Sequence, residues 1–325
     1  MTKAIVVAKN GDASVLQWQD ISLPPLSADE ARVEHTAVGF NMIDTYMRKG
    51  LYPLPLPAVL GVEGVGVVAE LGADVSGLAV GDRVVYLTRE PGAYSEQRNV
   101  PAARLIKLPD AISDDIAAAS YLKGLTVWAL LTESYAIKAG DTVLIYAAAG
   151  GVGSLMCQWA TSLGATVIGV VGSEEKIEQA KHYGCHHVIN RQQQDILTTV
   201  RELTNGEGVQ VVYDSLGNST FNQSLDCIAP LGTMVSFGNA TGPVEPFNIM
   251  MLAAKGSLKL VRPQVFAYVE KREALEKASA VLFEMISSGK ITVEISQRFH
   301  VSEAARAHDS VESGKTTGAT ILTFK

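Results

Sequence analysis

The sequence predicts an α/β protein: a doubly wound parallel sheet forms one domain, and both ends of the chain build a mostly β, discontinuous second domain. Three observations carry this. Between about residues 142 and 237, apolar runs of strand length alternate with helical stretches, which implies parallel strands covered on both faces. The first third instead holds short β-type runs, AIVVAK, ARVEHTAVGF, GVGVVAEL and DRVVYL, bounded by turn signals such as Asn10-Gly11, Gly81-Asp82 and Pro91-Gly92. That texture suits a compact, largely antiparallel domain. The tail after Arg262-Pro263 returns to the mixed texture of the first third. The expected boundaries are 1–122 with 268–325 for the discontinuous domain and 123–267 for the inserted one.

Within the insert, the strand candidates are Thr142–Ala147, Thr166–Val171, His187–Ile189, Gln210–Tyr213 and Thr233–Phe237. Before them, AAASYLKGLTVWALLTES is rich in alanine and leucine without proline and reads as helical. Between the first two strands, Val152, Leu155, Met156, Trp159, Ala160 and Leu163 make one apolar helix face. The tail is expected to hold a helix from about Ala267 to Ser288, a strand over ITVEISQRF, a short helix at Glu303–Glu312 and a last strand at Ala319–Phe324. Leu51–Pro57 contains three prolines and reads as an irregular surface loop.

Composition narrows the function. Of 325 residues, 47% are hydrophobic and 19% charged, which excludes a disordered, solvating chain. The net charge of −7 argues against nucleic acid as the main partner, because phosphate contacts need a basic face. Three widely spaced cysteines, Cys157, Cys185 and Cys227, form neither a disulfide framework nor a CxxC pair, which fits a reducing compartment. The first residues lack the pattern of a signal peptide, and no apolar run reaches the ~18 residues of a membrane span. A cytoplasmic protein without membrane contact is expected.

The central motif is Ala147-Ala148-Ala149-Gly150-Gly151-Val152-Gly153. It follows the strand TVLIY and opens the amphipathic helix, the context a dinucleotide fingerprint requires. Small residues let the backbone approach a pyrophosphate, and the helix N-terminus stabilises its charge. The next strand ends Val171-Gly172-Ser173 without an acid at its tip. An acid there would suit the ribose hydroxyl of NAD. Lys176 and Arg191 follow instead and suit a 2′-phosphate, so NADPH is the expected cofactor. Glu174 and Glu175 read as first-turn acids behind Ser173 as N-cap. The cluster His182, Cys185, His186 and His187 has no standard metal spacing and reads as a loop entering a strand; no metal is expected.

The stretches Gly39–Tyr46, Gly61–Gly66, Gly81–Val84 and Ala147–Gly153 resemble the medium-chain dehydrogenase/reductase superfamily. Within it, NMIDTYMRKGLYPLPLP, AASYLKGLTVWALL, AAAGGVG, VVYDSLG and MVSFGN are similar to the zinc-free NADPH:quinone oxidoreductases related to zeta-crystallin. The resemblance covers essentially the whole chain. It implies a Rossmann domain, a GroES-like catalytic domain, and transfer of hydride or electrons from nicotinamide to a quinone in the cleft between domains. Zinc alcohol dehydrogenases of the superfamily place a cysteine near Asn41 and a histidine at Val62, and carry a four-cysteine zinc lobe; this chain has none of these. The resemblance places Asn41, Asp44, Tyr46, Tyr52 and Arg262 around the substrate, with Asn41 or Tyr46 as hydrogen-bond donors, Arg262 stabilising negative charge and Asp44 orienting its neighbours. Asn41, Thr45 and Thr126 would touch the nicotinamide half. Gly150, Gly151, Val152 and Gly153 would take the pyrophosphate, and Ser173, Lys176 and Arg191 the adenosine phosphate. Ser215, Phe237, Gly238 and Asn239 would line the cofactor. The run Lys255–Val261 would pair strands across a homodimer axis. Two other readings of the same residues are an NADPH-dependent enone or alkenal reductase, with Tyr46 or Tyr52 as proton donor, and a nucleotide- or RNA-binding protein without catalysis.

Overall fold

The apolar runs of the middle of the chain assemble as a six-stranded, all-parallel sheet. A computed structural model describes all 325 residues and divides into two compact units, Met1–Lys123 with Val269–Ser287 and Val293–Lys325, and Gly124–Tyr268 with Ser288–Thr292. In the second unit the strand order is His187–Asn190, Thr166–Val171, Thr142–Tyr146, Val209–Asp214, Ile228–Ser236 and Lys259–Val261. Each pair is parallel. The order reverses between Thr142–Tyr146 and Val209–Asp214, which puts a ligand crevice at their carboxyl ends. Leu144, Ile168, Val170 and Val212 are fully buried in the sheet's core, each contributing about 1.5–3 kcal/mol by leaving water.

The five expected strands all form. The fifth starts earlier than expected, at Ile228, because Pro230-Leu231-Gly232 is accommodated inside it rather than ending it. Leu231 takes a positive φ of 66° there and donates its N–H to Gly256 O at 2.8 Å.

In the first unit a seven-stranded sheet runs Ile295–His300, Ala319–Thr323, Glu30–Gly39, Glu63–Leu71, Arg83–Leu87 and Leu105–Lys107, with Gln97–Pro101 also paired to Glu30–Gly39. A smaller sheet joins Leu16–Ile21, Thr2–Val7 and Ala58–Val59. All pairs are antiparallel except Ile295–His300 with Ala319–Thr323. The expected strand over residues 291–299 is therefore shorter at its start and begins at Ile295.

The expected helix from Ala267 to Ser288 is a correction. Two helices stand there, Val265–Tyr268 and Arg272–Ser287. The break has a tertiary cause: Arg104 Nη1 donates to Val269 O at 3.0 Å and Glu270 O at 3.1 Å. Those carbonyls are the acceptors a continuous helix would have used. The helix Asp114–Trp128 passes into a π-helical turn, Ala129–Ser134. No helix is long and apolar enough to cross a membrane.

All three cysteines are free and buried. Cys157 Sγ and Cys185 Sγ lie 3.4 Å apart. The contact with the Cys185 thiol, then burial, push the Cys157 thiol far up, and burial raises Cys227 to about 12.

Candidate active site

In the first unit the candidate residues gather on one helix, Met42–Lys49. It starts at Asn41, whose backbone is extended (φ −133°), and Asp44 Oδ2 accepts the Asn41 N–H at 3.0 Å. A carboxyl at this position satisfies a donor that a helix start leaves orphaned. The far end is pinned by Arg48, which is 1% exposed. Its guanidinium donates to Glu312 Oε2 at 2.7 Å, His308 Nδ1 at 2.9 Å and Gly11 O at 3.2 Å. Burial, with Arg48 beside it, drives His308 down to about 3, so the ring is neutral and its Nδ1 accepts.

Around Asn41 lies a closed polar network. Asn41 Nδ2 donates to Glu63 Oε1 at 2.6 Å and Gly39 O at 3.2 Å, and Asn41 Oδ1 accepts from Lys123 Nζ at 3.2 Å. Lys123 Nζ also donates to Phe40 O at 3.0 Å, and Glu63 Oε2 accepts the Leu122 N–H at 2.7 Å. Tyr94 OH donates to Asp44 Oδ2 at 3.1 Å. Burial pushes Asp44 up to about 7 against the hydrogen bonds from Asn41 and Tyr94; Glu63 adds to the rise and Lys123 opposes it. Asp44 Oδ1 and Thr45 Oγ1 are buried without a hydrogen-bond partner. The network needs a glycine at 39: a Cβ there would stand 2.1 Å from Glu63 Oε1 and 2.3 Å from Ala118 O.

Tyr46 is buried, and its ring meets that of Tyr52 edge-on with centroids 5.4 Å apart. Tyr52, on the proline loop, is thus packed on a neighbouring aromatic as well as donating its N–H to Tyr46 O at 3.2 Å.

In the second unit the glycine loop opens the helix Gly151–Ser162 after Gly150 as N-cap. A Cβ at Gly153 would stand 2.1 Å from Ala147 O and 2.9 Å from Ala148 Cα. Only glycine lets the loop fold this tightly. Ser173 occupies the N-cap of the next turn, Glu174–Lys176, without a side-chain bond to it. Partial burial, then the Arg191 charge, lower the Lys176 ammonium, with Glu175 opposing. Two cations so close suit an anion between them.

Asp214, fully buried, shapes the next loop: Oδ1 accepts from Leu216 N at 2.7 Å and Gly217 N at 3.1 Å, and Oδ2 from Thr220 Oγ1 at 2.7 Å and Ser224 Oγ at 2.8 Å. This sets Ser215 beside Gly238, whose Cβ would meet Ser215 O at 2.2 Å. Arg262 Nη1 donates to Ser236 O at 2.9 Å and Gly238 O at 3.2 Å, so it grips the turn leading to Phe237, Gly238 and Asn239. Thr126 lies half-buried on the helix Asp114–Trp128.

Glu63, Tyr94, Lys123 and Asp214 were missed by sequence reasoning. Two of them had a signal: Lys123 is a lone charge in an apolar helical run and Glu63 a lone acid between glycines and valines. Such residues are almost never buried unless paired.

A parallel sheet with a glycine loop at its switch point, joined to this β unit, defines a dehydrogenase/reductase of the medium-chain class. The family models agree: "Alcohol dehydrogenase GroES-like domain" matches residues 27–110 and "Zinc-binding dehydrogenase" residues 151–280. The chain is 47% identical to a quinone oxidoreductase of Salmonella typhimurium and 41% identical to a 2-haloacrylate reductase of a Burkholderia species, each match covering 99% of both chains. The crystal structure of Escherichia coli quinone oxidoreductase complexed with NADPH superposes with a TM-score of 0.97 at 44% identity over 99% of both chains. The chain belongs to the quinone oxidoreductase family of that superfamily.

The residues present do not fit the zinc named by one family model. Every polar atom of the Asn41 side chain is committed, Val62 is apolar, and Lys123 brings an ammonium without a lone pair. No three His, Cys, Asp or Glu side chains form a metal-binding group anywhere in the chain. They do fit a phosphorylated dinucleotide, through the close-packed Gly153 turn and the Lys176–Arg191 pair.

Proposed function

We propose that the protein reduces quinones with NADPH in the cytoplasm. The observation that carries this reading is the full-length match to quinone oxidoreductases, one of them complexed with NADPH, on a chain whose own glycine loop and Lys176–Arg191 pair suit that cofactor. NADPH supplies a hydride when bound. A quinone that takes up this hydride and one proton becomes a hydroquinone, so the chain has to hold the cofactor, orient the acceptor and provide the proton.

Gly150, Gly151, Val152 and Gly153 hold the pyrophosphate at the helix N-terminus. Ser173, Lys176 and Arg191 hold the 2′-phosphate. Ser215, Phe237, Gly238 and Asn239 line the cofactor, with Arg262 bracing their turn and adding positive charge. Thr45 is assigned to the nicotinamide half; its unpartnered Oγ1 supports this. Tyr46 and Tyr52 orient the acceptor. Both Nδ2 hydrogens of Asn41 are committed inside the protein, so Asn41 acts by placing the helix start rather than by donating to the substrate. Asp44 orients its neighbours by accepting the Asn41 N–H and Tyr94 OH on Oδ2, and the hydroxyls of Tyr46 and Tyr52 are the proton donors. Three free thiols support a reducing compartment.

The test compares 1,4-benzoquinone, 9,10-phenanthrenequinone and an alkenal with NADPH in steady state. Turnover of the quinones is expected; turnover of the alkenal alone overturns the reading. In the same assay Lys176→Ala raises the KM for NADPH about tenfold more than that for NADH, as loss of a charge-assisted phosphate contact requires. Equal effects would remove the 2′-phosphate role.

The protein is also proposed to form a homodimer. Lys259–Val261 is an edge strand of the parallel sheet, and Leu231, Ile249 and Met250 are exposed. An open edge flanked by apolar side chains invites a second copy. Sedimentation is expected to give twice the 34.6 kDa of the chain; a monomer at micromolar concentration refutes this.

A further inference from the structure

The interior of the first unit holds one ammonium against two carboxyl groups. Lys123 is 6% exposed, and Asp44 and Glu63 are fully buried. All three meet at Asn41. Its Oδ1 faces the ammonium and its Nδ2 faces the Glu63 carboxylate. A flipped amide would set NH2 against NH3⁺ and oxygen against carboxylate, so the two charges dictate the side chain's orientation. The same ammonium binds the carbonyl of Phe40, the residue before the helix start. One cation neutralises one of the two acids; the other carries the cost of burial by keeping its proton.

We propose that Lys123 is a positioning residue for quinone reduction: it locks the Asn41 amide and the helix start, and by compensating Glu63 it leaves Asp44 as the carboxyl of the network that keeps a proton. This rests on the quinone-reductase reading above. The geometry supports it at the atom level. Asp44 Oδ2 is occupied by the Asn41 N–H and Tyr94 OH, so the proton belongs on the unpartnered Oδ1. The charged and titratable groups facing this carboxyl are Glu63, Lys123 and Tyr94. Tyr94 stays protonated, because burial and Asp44 raise it well above its usual value. His308, edge-on to the Tyr94 and Phe40 rings, is neutral. Only Glu63 and Lys123 therefore bring charge to Asp44, and with opposite sign: Glu63 raises it and Lys123 lowers it.

That opposition supplies the test. In the pH profile of kcat/KM with NADPH and 9,10-phenanthrenequinone, the native protein is expected to show an ionisation near 7 that Asp44→Asn abolishes. Lys123→Met moves it up by about one unit and Glu63→Gln moves it down by about as much, as a single nearby charge does. Lys123→Arg keeps it in place. The double variant K123M/E63Q, which leaves no uncompensated charge, returns it near the native value and keeps the fold where a single variant loses it. A carbon-13 titration of the Asp44 carboxyl in NADPH-free protein reads the same shifts without turnover. Shifts of opposite sign there establish that Lys123 compensates Glu63 and sets the Asp44 proton even if quinones prove not to be substrates, in which case only the quinone-reductase reading falls. Unchanged or same-direction shifts overturn it, even if quinones are reduced at full rate.

Discussion

Gly153→Ala is expected to weaken NADPH binding about 100-fold, or ~2.7 kcal/mol, with a matching fall in kcat/KM. The new Cβ would overlap Ala147 O at 2.1 Å and crowd the backbone of Ala148. Both are main-chain atoms, so no rotamer change relieves the contact. The helix Gly151–Ser162 must move away from the strand Thr142–Tyr146, and its first N–H groups lose their aim at the pyrophosphate. Gly150→Ala is the internal control. Its Cβ would approach Ala147 O at 3.2 Å, a contact that a shift of a few tenths of an ångström accommodates, and its effect on binding is expected to be several-fold smaller. Fluorescence titration with NADPH measures both. Equal affinities for Gly153→Ala and the native protein would mean that the loop does not hold the pyrophosphate.

Glu63→Ala is expected to lower the unfolding free energy by about 3–5 kcal/mol at pH 7.5. The carboxylate accepts the Leu122 N–H and an Asn41 Nδ2 hydrogen, and its charge faces Lys123. Removing it strands two buried donors and leaves the Lys123 ammonium facing only Asp44, the weaker of its two acidic neighbours. Such a charge costs more than the pair itself contributes. Glu63→Gln keeps an acceptor and is expected to cost less. K123M/E63A is expected to recover most of the loss, because it removes the stranded charge. Urea titrations of the three variants decide this. A loss below about 1 kcal/mol for Glu63→Ala would show that water or relaxation already compensates Lys123.

These two sites differ in how far the chain alone reveals them. The glycine loop was legible because its evidence is local. The strand TVLIY, the run from Ala147 to Gly153 and the apolar face from Val152 to Leu163 follow one another directly, so backbone period and turn chemistry can be read together. The network around Asn41 joins residues 39, 41, 44, 63, 94, 122 and 123, from separate segments. Periodicity carries no information on such partners. Resemblance brought in Asn41 and Asp44, and with them a donor role for Asn41 that the committed amide does not support. The broken helix near residue 270 has the same origin. Local pattern favours one helix, and a guanidinium from residue 104 decides otherwise.

The three cysteines have a chemical consequence for a protein that handles quinones. Quinones are electrophiles as well as oxidants, and a thiolate adds to their ring. The attacking species is the thiolate, and burial in apolar surroundings suppresses it. Cys157 and Cys227 are fully buried with their thiols held in the protonated form, and Cys185 is closed in against Cys157. The chain thus presents no exposed thiol to a quinone. Arylation of its cysteines by a quinone therefore requires the fold to open first.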